Sequence, residues 1–313
     1  MIGETEYRGL AAVKMENEVL RAVFLPDYGS KMVSLLHKRT GREILFQPSE
    51  TELELPYYGA DYAAWDASGF DELFPSIDAS FYPEEPWRGQ YIPDHGELWT
   101  LSWSADITPK GLEFRVQSPR FPYAIKKRVN LIDNLLQLEY RAFNQAQQPF
   151  KFIWAAHLLL ASEKERISLL LPEEVEEVIN VKRDEHLGAW GERHSYPLTG
   201  SQQTGESIDL STMDASGCGS SQKFYALHPL QKGCCGVEFI DTGERLLYSF
   251  PPDRVPYLGV WKSQGGFRGD YNLALEPCTG AFDDLYLADK LDRVSAIPAQ
   301  GSLSWYLQLR LEV

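Results

Sequence analysis

Three short segments set ionisable side chains among neighbours that leave them chemically useful. Residues 92–99 read Ile-Pro-Asp-His-Gly-Glu-Leu-Trp, so His95 stands with Asp94 and Glu97 at a Pro/Gly turn entering an aromatic run that reads as strand. Residues 152–157, Phe-Ile-Trp-Ala-Ala-His, carry His157 inside an otherwise apolar strand, and residues 273–280, Leu-Ala-Leu-Glu-Pro-Cys-Thr-Gly, set Glu276 among apolar positions. A carboxylate in such surroundings must pair, take up a proton or face a cavity. Desolvation raises its pKa towards useful basicity and histidine titrates near neutrality unaided, so Glu276 and His157 suit a base and an acid in one reaction. Each also has a structural reading: Glu276 in a buried salt bridge to Arg268 or Arg128, His157 as a satisfied core histidine, His95 as the stabiliser of its own turn. A metal set of His95, Glu97 and His157 is the weakest alternative, because Gly96 interrupts the strand geometry it needs, and no metal is expected.

The elements that must position these residues are strands almost throughout. Residues 19–25 and 31–37 flank the turn Pro26-Asp27-Tyr28-Gly29, and residues 43–46 continue the meander after Gly41. Alternation is clear over 112–117, 124–131 and 135–143, with Asp133-Asn134 a hairpin turn between the last two. Residues 302–313 alternate again and predict a strand that ties down the C-terminus. Helical signals are confined to residues 172–179, with acidic side chains in the first turn, and a short stretch at 282–288. The polar tract 199–222 reads as a long loop within one unit, since similar strands flank it. The expectation is one all-β domain over 1–313, a large antiparallel β-sandwich.

Composition narrows the function classes. The formal charge of −15 argues against a nucleic-acid partner, with Lys126-Lys127-Arg128 the only local basic cluster. No stretch approaches the roughly 20 apolar residues of a membrane helix, and the first residues lack signal-peptide character, so a soluble cytoplasmic protein is expected. The four cysteines, Cys218, Cys234, Cys235 and Cys278, lack zinc-type spacing and fit free thiols in a reducing compartment.

Taken in order, residues 25–35, 40–45, 69–75, His95-Gly96, 138–144 with 154–157, 257–262 and 275–280 resemble the galactose mutarotase-like superfamily, the aldose 1-epimerases and their relatives, over most of the chain. The resemblance implies a β-sandwich that interconverts the α and β anomers of a free sugar, with Glu276 as base, His157 as acid and His95 near the ring oxygen or anomeric position. It implies no cofactor, and a small-molecule sugar as partner of a monomer or homodimer. Within residues 69–75, Gly-Phe-Asp-Glu-Leu-Phe-Pro, Asp71 or Glu72 is expected to bind sugar hydroxyls, where the galactose mutarotases carry an Asn-Arg pair. Trp154, Trp261 and Phe74 are candidate stacking platforms for a pyranose, and Lys262 a further candidate hydroxyl contact. His37, His186, His194 and His228 read as structural. With no arginines clustered near these motifs, a neutral or cationic sugar fits better than a phosphosugar. A non-catalytic sugar-binding or sensing protein on the same fold is the alternative.

Overall fold

Burial along the strands separates two kinds of sheet. Strands Leu135–Asn144 and Ser302–Glu312 alternate buried with partly exposed residues, the period-two signature of a sheet with one wet face. Strands Ala155–Ala161 and Tyr271–Cys278 are instead buried at nearly every position, so both of their faces are covered. The computed structural model, which describes residues 1–162, 166–213 and 219–313, shows why. Among the described residues a twelve-stranded and a nine-stranded sheet form the large antiparallel β-sandwich, and loops fold over the outer face of the larger one.

The middle of the larger sheet runs in the order Lys31–His37, Phe70–Leu73, Ala155–Ala161, Tyr271–Cys278, Tyr257–Gln264, Ser220–Ala226, with antiparallel neighbours throughout. Its inner face packs on the nine-stranded sheet through large aromatics, among them Phe24 against Phe114, Phe74 against Tyr123, and Trp154 against Tyr140 and Trp305. Strand Ser302–Glu312 lies inside the smaller sheet, between Leu135–Asn144 and Glu244–Ser249, and so locks the C-terminal residues into the core. The Asp133-Asn134 hairpin is present between Tyr123–Ile132 and Leu135–Asn144, with Asp133 at a positive φ of 50°.

Some local expectations are corrected. Residues 172–179 are not helical: a turn precedes strand Glu177–Asn180, in which Val178 and Ile179 pair with Ala226 and Tyr225. The β-branched residues find more between two neighbouring strands of the sheet than the acidic first turn offers a helix. The second helix forms at Leu285–Lys290, starting beyond residue 282 because the Asp284 side chain caps the Leu287 amide. The run after His95 is a 3-10 turn, Leu98–Thr100, since Trp99 Nε1 folds back to the Asp94 carbonyl. The tract 199–222 carries short strands of its own, Leu198–Gly200 pairing with Ser207–Asp209. Cys234, Cys235 and Cys278 are free thiols, whereas Cys218 lies outside the described residues. Among the described residues no helix is long and apolar enough to cross a membrane.

Gly96 is fixed by both conformation and space. Its φ is 72°, and a Cβ there would lie 2.1 Å from the Phe74 carbonyl oxygen. Gly96→Ala is expected to cost at least about 1–3 kcal/mol, read as a lower urea midpoint with an unchanged slope. An unchanged midpoint would mean that the His95 turn does not depend on this contact.

Candidate functional site

Sheet register assembles the site before any loop is considered. Asp71 pairs with His157; Ala155 pairs with Cys278 and Leu159 with Ala274, which sets His157 opposite Glu276; Glu276 pairs with Gly259, and Gly259 with Tyr225. Asp71, His157, Glu276, Gly259 and Tyr225 therefore form one cross-strand row on the loop-covered face. Gly259 keeps the row low enough for the Tyr225 ring, which a Cβ there would meet at 3.1 Å. In the next row along that face, Lys223 pairs with Trp261 and Trp261 with Ala274.

At the centre, His157 Nε2 lies 3.9 Å from Glu276 Oε1. Lys223 Nζ stands 3.2 Å from Glu276 Oε2 and 3.0 Å from Asp283 Oδ1, and Asp283 also accepts from the Tyr225 hydroxyl at 2.7 Å. The buried ion pair of Glu276 is thus with Lys223. Arg268 instead pairs with Asp270 and donates to the Trp65 carbonyl, while Arg128 serves Glu113 and Glu139. Although Lys223 compensates the charge, neither Glu276 oxygen receives a well-directed hydrogen bond, so both keep accepting capacity.

A second chain holds the histidine. Loop residues 61–64 make a 3-10 turn capped by Asp61, and this turn delivers Tyr62 over the sheet. The Tyr62 hydroxyl donates to Asp71 Oδ2 at 3.0 Å, and Asp71 in turn receives Lys31 Nζ at 2.9 Å. With its one hydrogen committed, the phenol oxygen can only accept from His157 Nδ1, 3.2 Å away. This network assigns the Nδ1–H tautomer and turns the Nε2 lone pair towards Glu276. Tyr62 also stacks on His95, with ring centroids 3.8 Å apart and planes within 5°, and His95 Nδ1 lies 3.0 Å from Asp94 Oδ1. The His95 and His157 rings meet edge to face at 5.4 Å.

Burial sets the proton affinities. It raises the Glu276 carboxyl, with Lys223 pulling it back and Asp283 pushing the same way as burial. Burial takes His157 well below the ordinary histidine range, reinforced by His95, Lys223 and Lys31, so its resting form at neutral pH is the neutral ring. Burial also works against the Lys223 and Lys31 ammoniums, but their carboxylate neighbours more than offset it and hold both protonated.

Of the residues expected from sequence, His95, His157, Glu276 and Asp71 come together. Asp71 is an inner member of the cluster, fully occupied on its Oδ2 side. Glu72, Phe74 and Trp154 are not brought to it. Glu72 points to the opposite face, where Lys127 Nζ lies at 3.2 Å, the Tyr140 hydroxyl donates at 2.9 Å and Trp154 Nε1 at 2.9 Å. Phe74 packs among Tyr123, Phe150 and Phe152. Trp261 lies on the site face, its Nε1 donating to Asn272 Oδ1 at 2.9 Å and its ring meeting Phe267. Glu97 is buried away from the histidines, accepting from Tyr58, Ser118 and Tyr123, so it does not join them as a ligand. Lys262 is buried and reaches the carbonyls of Leu210 and Thr212. Sequence reasoning missed Tyr62, Lys31, Lys223 and Asp283. Lys31, a cation opening an apolar strand, carried the same kind of signal as Glu276; Lys223 looked like one solvated strand position among many.

Neither a family profile nor a curated protein matches the sequence. Solved structures do match in fold. The Slr1438 protein from Synechocystis sp. PCC 6803 superposes with a TM-score of 0.73 at 16% identity, covering 97% of this chain and 96% of the other. A galactose mutarotase related enzyme from Lactobacillus acidophilus gives 0.68 at 15% identity, covering 96% and 97%. A galactose mutarotase-like protein from Clostridium acetobutylicum gives 0.69 at 15% identity, covering 100% and 98%.

Two outcomes follow from this geometry. Glu72→Ala strands the buried Lys127 ammonium and is expected to cost about 3–5 kcal/mol in urea unfolding; a loss below about 1 kcal/mol would remove Glu72 from the core framework. His157 binds its proton more weakly in the folded state, so the unfolded chain binds more protons below about pH 6.5 and stability falls as pH falls through that value. The stability of wild type relative to His157→Gln is expected to drop by up to about 1.4 kcal/mol per pH unit on going from pH 7 to pH 5. A difference independent of pH would mean that the ring is not held neutral.

Proposed function

We propose that the chain, whose galactose mutarotase-like fold carries the polar row on the covered face of the larger sheet, is an isomerase of the aldose 1-epimerase kind, interconverting the anomers of a free sugar or a sugar reducing end. The observation that carries this reading is the buried Glu276–His157 pair, 3.9 Å apart, with Glu276 shifted towards a stronger base and His157 towards a stronger acid.

Ring opening needs two proton movements. The reaction starts once the pair's one proton moves from Glu276 to Nε2 of the resting neutral His157: Glu276 then takes the proton of the anomeric hydroxyl while His157 gives its Nε2 proton to the ring oxygen as the bond from that oxygen to the anomeric carbon breaks. The open-chain aldehyde rotates about its first carbon–carbon bond. On closure the hydroxyl that becomes the ring oxygen returns its proton to neutral His157, and protonated Glu276 returns one to the carbonyl oxygen. The pair carries one proton throughout, and the opposed shifts move that proton's preference from His157 towards Glu276. Lys223 keeps the Glu276 anion accessible. Tyr62, anchored by Asp71 and Lys31, fixes the His157 ring and leaves Nε2 as the working nitrogen. His95, at the rim, is suited to donate to the ring oxygen or to the anomeric oxygen.

Polarimetry on freshly dissolved α-D-glucose, α-D-galactose and a wider panel of aldoses tests the reading. Wild type is expected to speed the approach to anomeric equilibrium, with Glu276→Gln and His157→Ala losing about 10²-fold or more. Tyr62→Phe is expected to lower kcat about two- to tenfold, the worth of one hydrogen bond, with little change in KM. No acceleration by wild type on any sugar would overturn the isomerase reading and leave a sugar-binding protein without turnover.

A further inference from the structure

Beside the polar row lies an open groove of about 1120 Å³, lined by Lys182, Asp184, Trp190, Gln202 and Ser221 among others, which the proposed anomeric chemistry does not use. It is larger than the roughly 300–1,000 Å³ of ordinary small-molecule sites, and a single hexose at Glu276 leaves it unfilled. Its position ties it to the site at both ends. Ser221 and Lys223 are two residues apart on one strand and so share the site face. The Lys182 ammonium, bonded to Ser221 Oγ at 2.7 Å, stands 5.9 Å from the ring of Trp261, the cross-strand partner of Lys223. At the other end Trp190 packs edge-on against Phe282 with ring centroids 5.5 Å apart, and Phe282 is followed by Asp283, the second carboxylate of Lys223.

The lining has the chemistry of a saccharide surface. Trp190 is 47% exposed, yet Phe282 fixes the tilt of its indole, which gives a flat apolar platform at small entropic cost. Around it stand planar or fixed polar groups: Asp184 capping the His186 and Leu187 amides, His186 bonded to Ser201, and Gln203 bonded to Glu185. The formal charges of Lys182 and Arg183 are balanced by those of Asp184 and Glu185, which favours neutral hydroxyl-bearing units over a phosphate or sulfate.

We infer that this groove is a saccharide-binding extension of the Glu276–His157 site, so that the preferred substrate is the reducing end of a neutral oligosaccharide whose further units run past Lys223 and stack on Trp190. The substrate assignment rests on the isomerase reading; the binding groove does not.

Calorimetric titration of the full chain carrying Glu276→Gln, with cellotetraose, maltotetraose and xylotetraose each compared with its own monosaccharide, separates the two. At least one tetrasaccharide is expected to bind about tenfold or more tightly than its monomer. Trp190→Ala in the same background is expected to remove that ratio, and Trp190→Phe, which keeps a stacking ring, to retain most of it, with melting temperatures checking that each variant folds. Equal affinity for tetrasaccharide and monomer across the panel, or a ratio indifferent to Trp190→Ala, would overturn the groove. A Trp190-dependent preference in a protein whose wild type shows no anomerisation by polarimetry would keep the groove and overturn the isomerase; anomerisation of hexoses with no chain-length preference would do the reverse.

Discussion

The site hangs on sheet register. Asp71, His157, Glu276, Gly259 and Tyr225 occupy one row because five adjacent strands pair with no net slip between them at that level. A shift of any one strand by one residue would send its member of the row to the opposite face, since side chains alternate with a period of two. Register here is pinned by the inner face, where Phe70, Leu158, Leu275, Leu258 and Phe224 are buried and cannot be turned outward without losing the hydrophobic contact between the sheets. The packing that stabilises the sandwich therefore also aligns the chemistry.

Buried charge is the cost of this arrangement, and the chain meets it with two lysines on the site face and one between the sheets. Asp71 and Glu72 are adjacent in sequence and point oppositely: Asp71 pairs with Lys31 on the site face, Glu72 with Lys127 between the sheets. Glu276 and Asp283 share Lys223. Each pair takes ions out of water, and each is retained because removing one partner would leave the other without compensation. The pairs on the site face do something the Glu72 pair does not. Through Tyr62, Asp71 sets the tautomer of His157, and through Lys223 the carboxyl of Glu276 is kept from rising as far as burial alone would take it.

Loops then decide what reaches the row. Tyr62 and His95 come from two loops whose rings stack, and the Arg268 bond to the Trp65 carbonyl ties a third loop to the first. These segments cover strands Ala155–Ala161 and Tyr271–Cys278, which is why both read as continuous apolar runs and why a lone histidine and a lone glutamate within them were visible as anomalies.

Read alone, the sequence determined the fold class, most strand positions, the Asp133-Asn134 hairpin and the prominence of His157 and Glu276, because period-two patterning and an ionisable residue in an apolar run are local properties, and that of His95 through its Pro/Gly turn. It did not determine which of two adjacent acids faces the site, since alternation states that Asp71 and Glu72 diverge but not which face is the core. It misread residues 172–179, where pairing with strands on both sides outweighs local helix preference. Tyr62, Lys223 and Asp283 were decided by tertiary structure alone: they lie 95, 53 and 7 positions from the residues they serve, His157 and Glu276. Their charges and hydroxyl acquire meaning only once strand pairing and loop closure remove them from water and set them within hydrogen-bond reach.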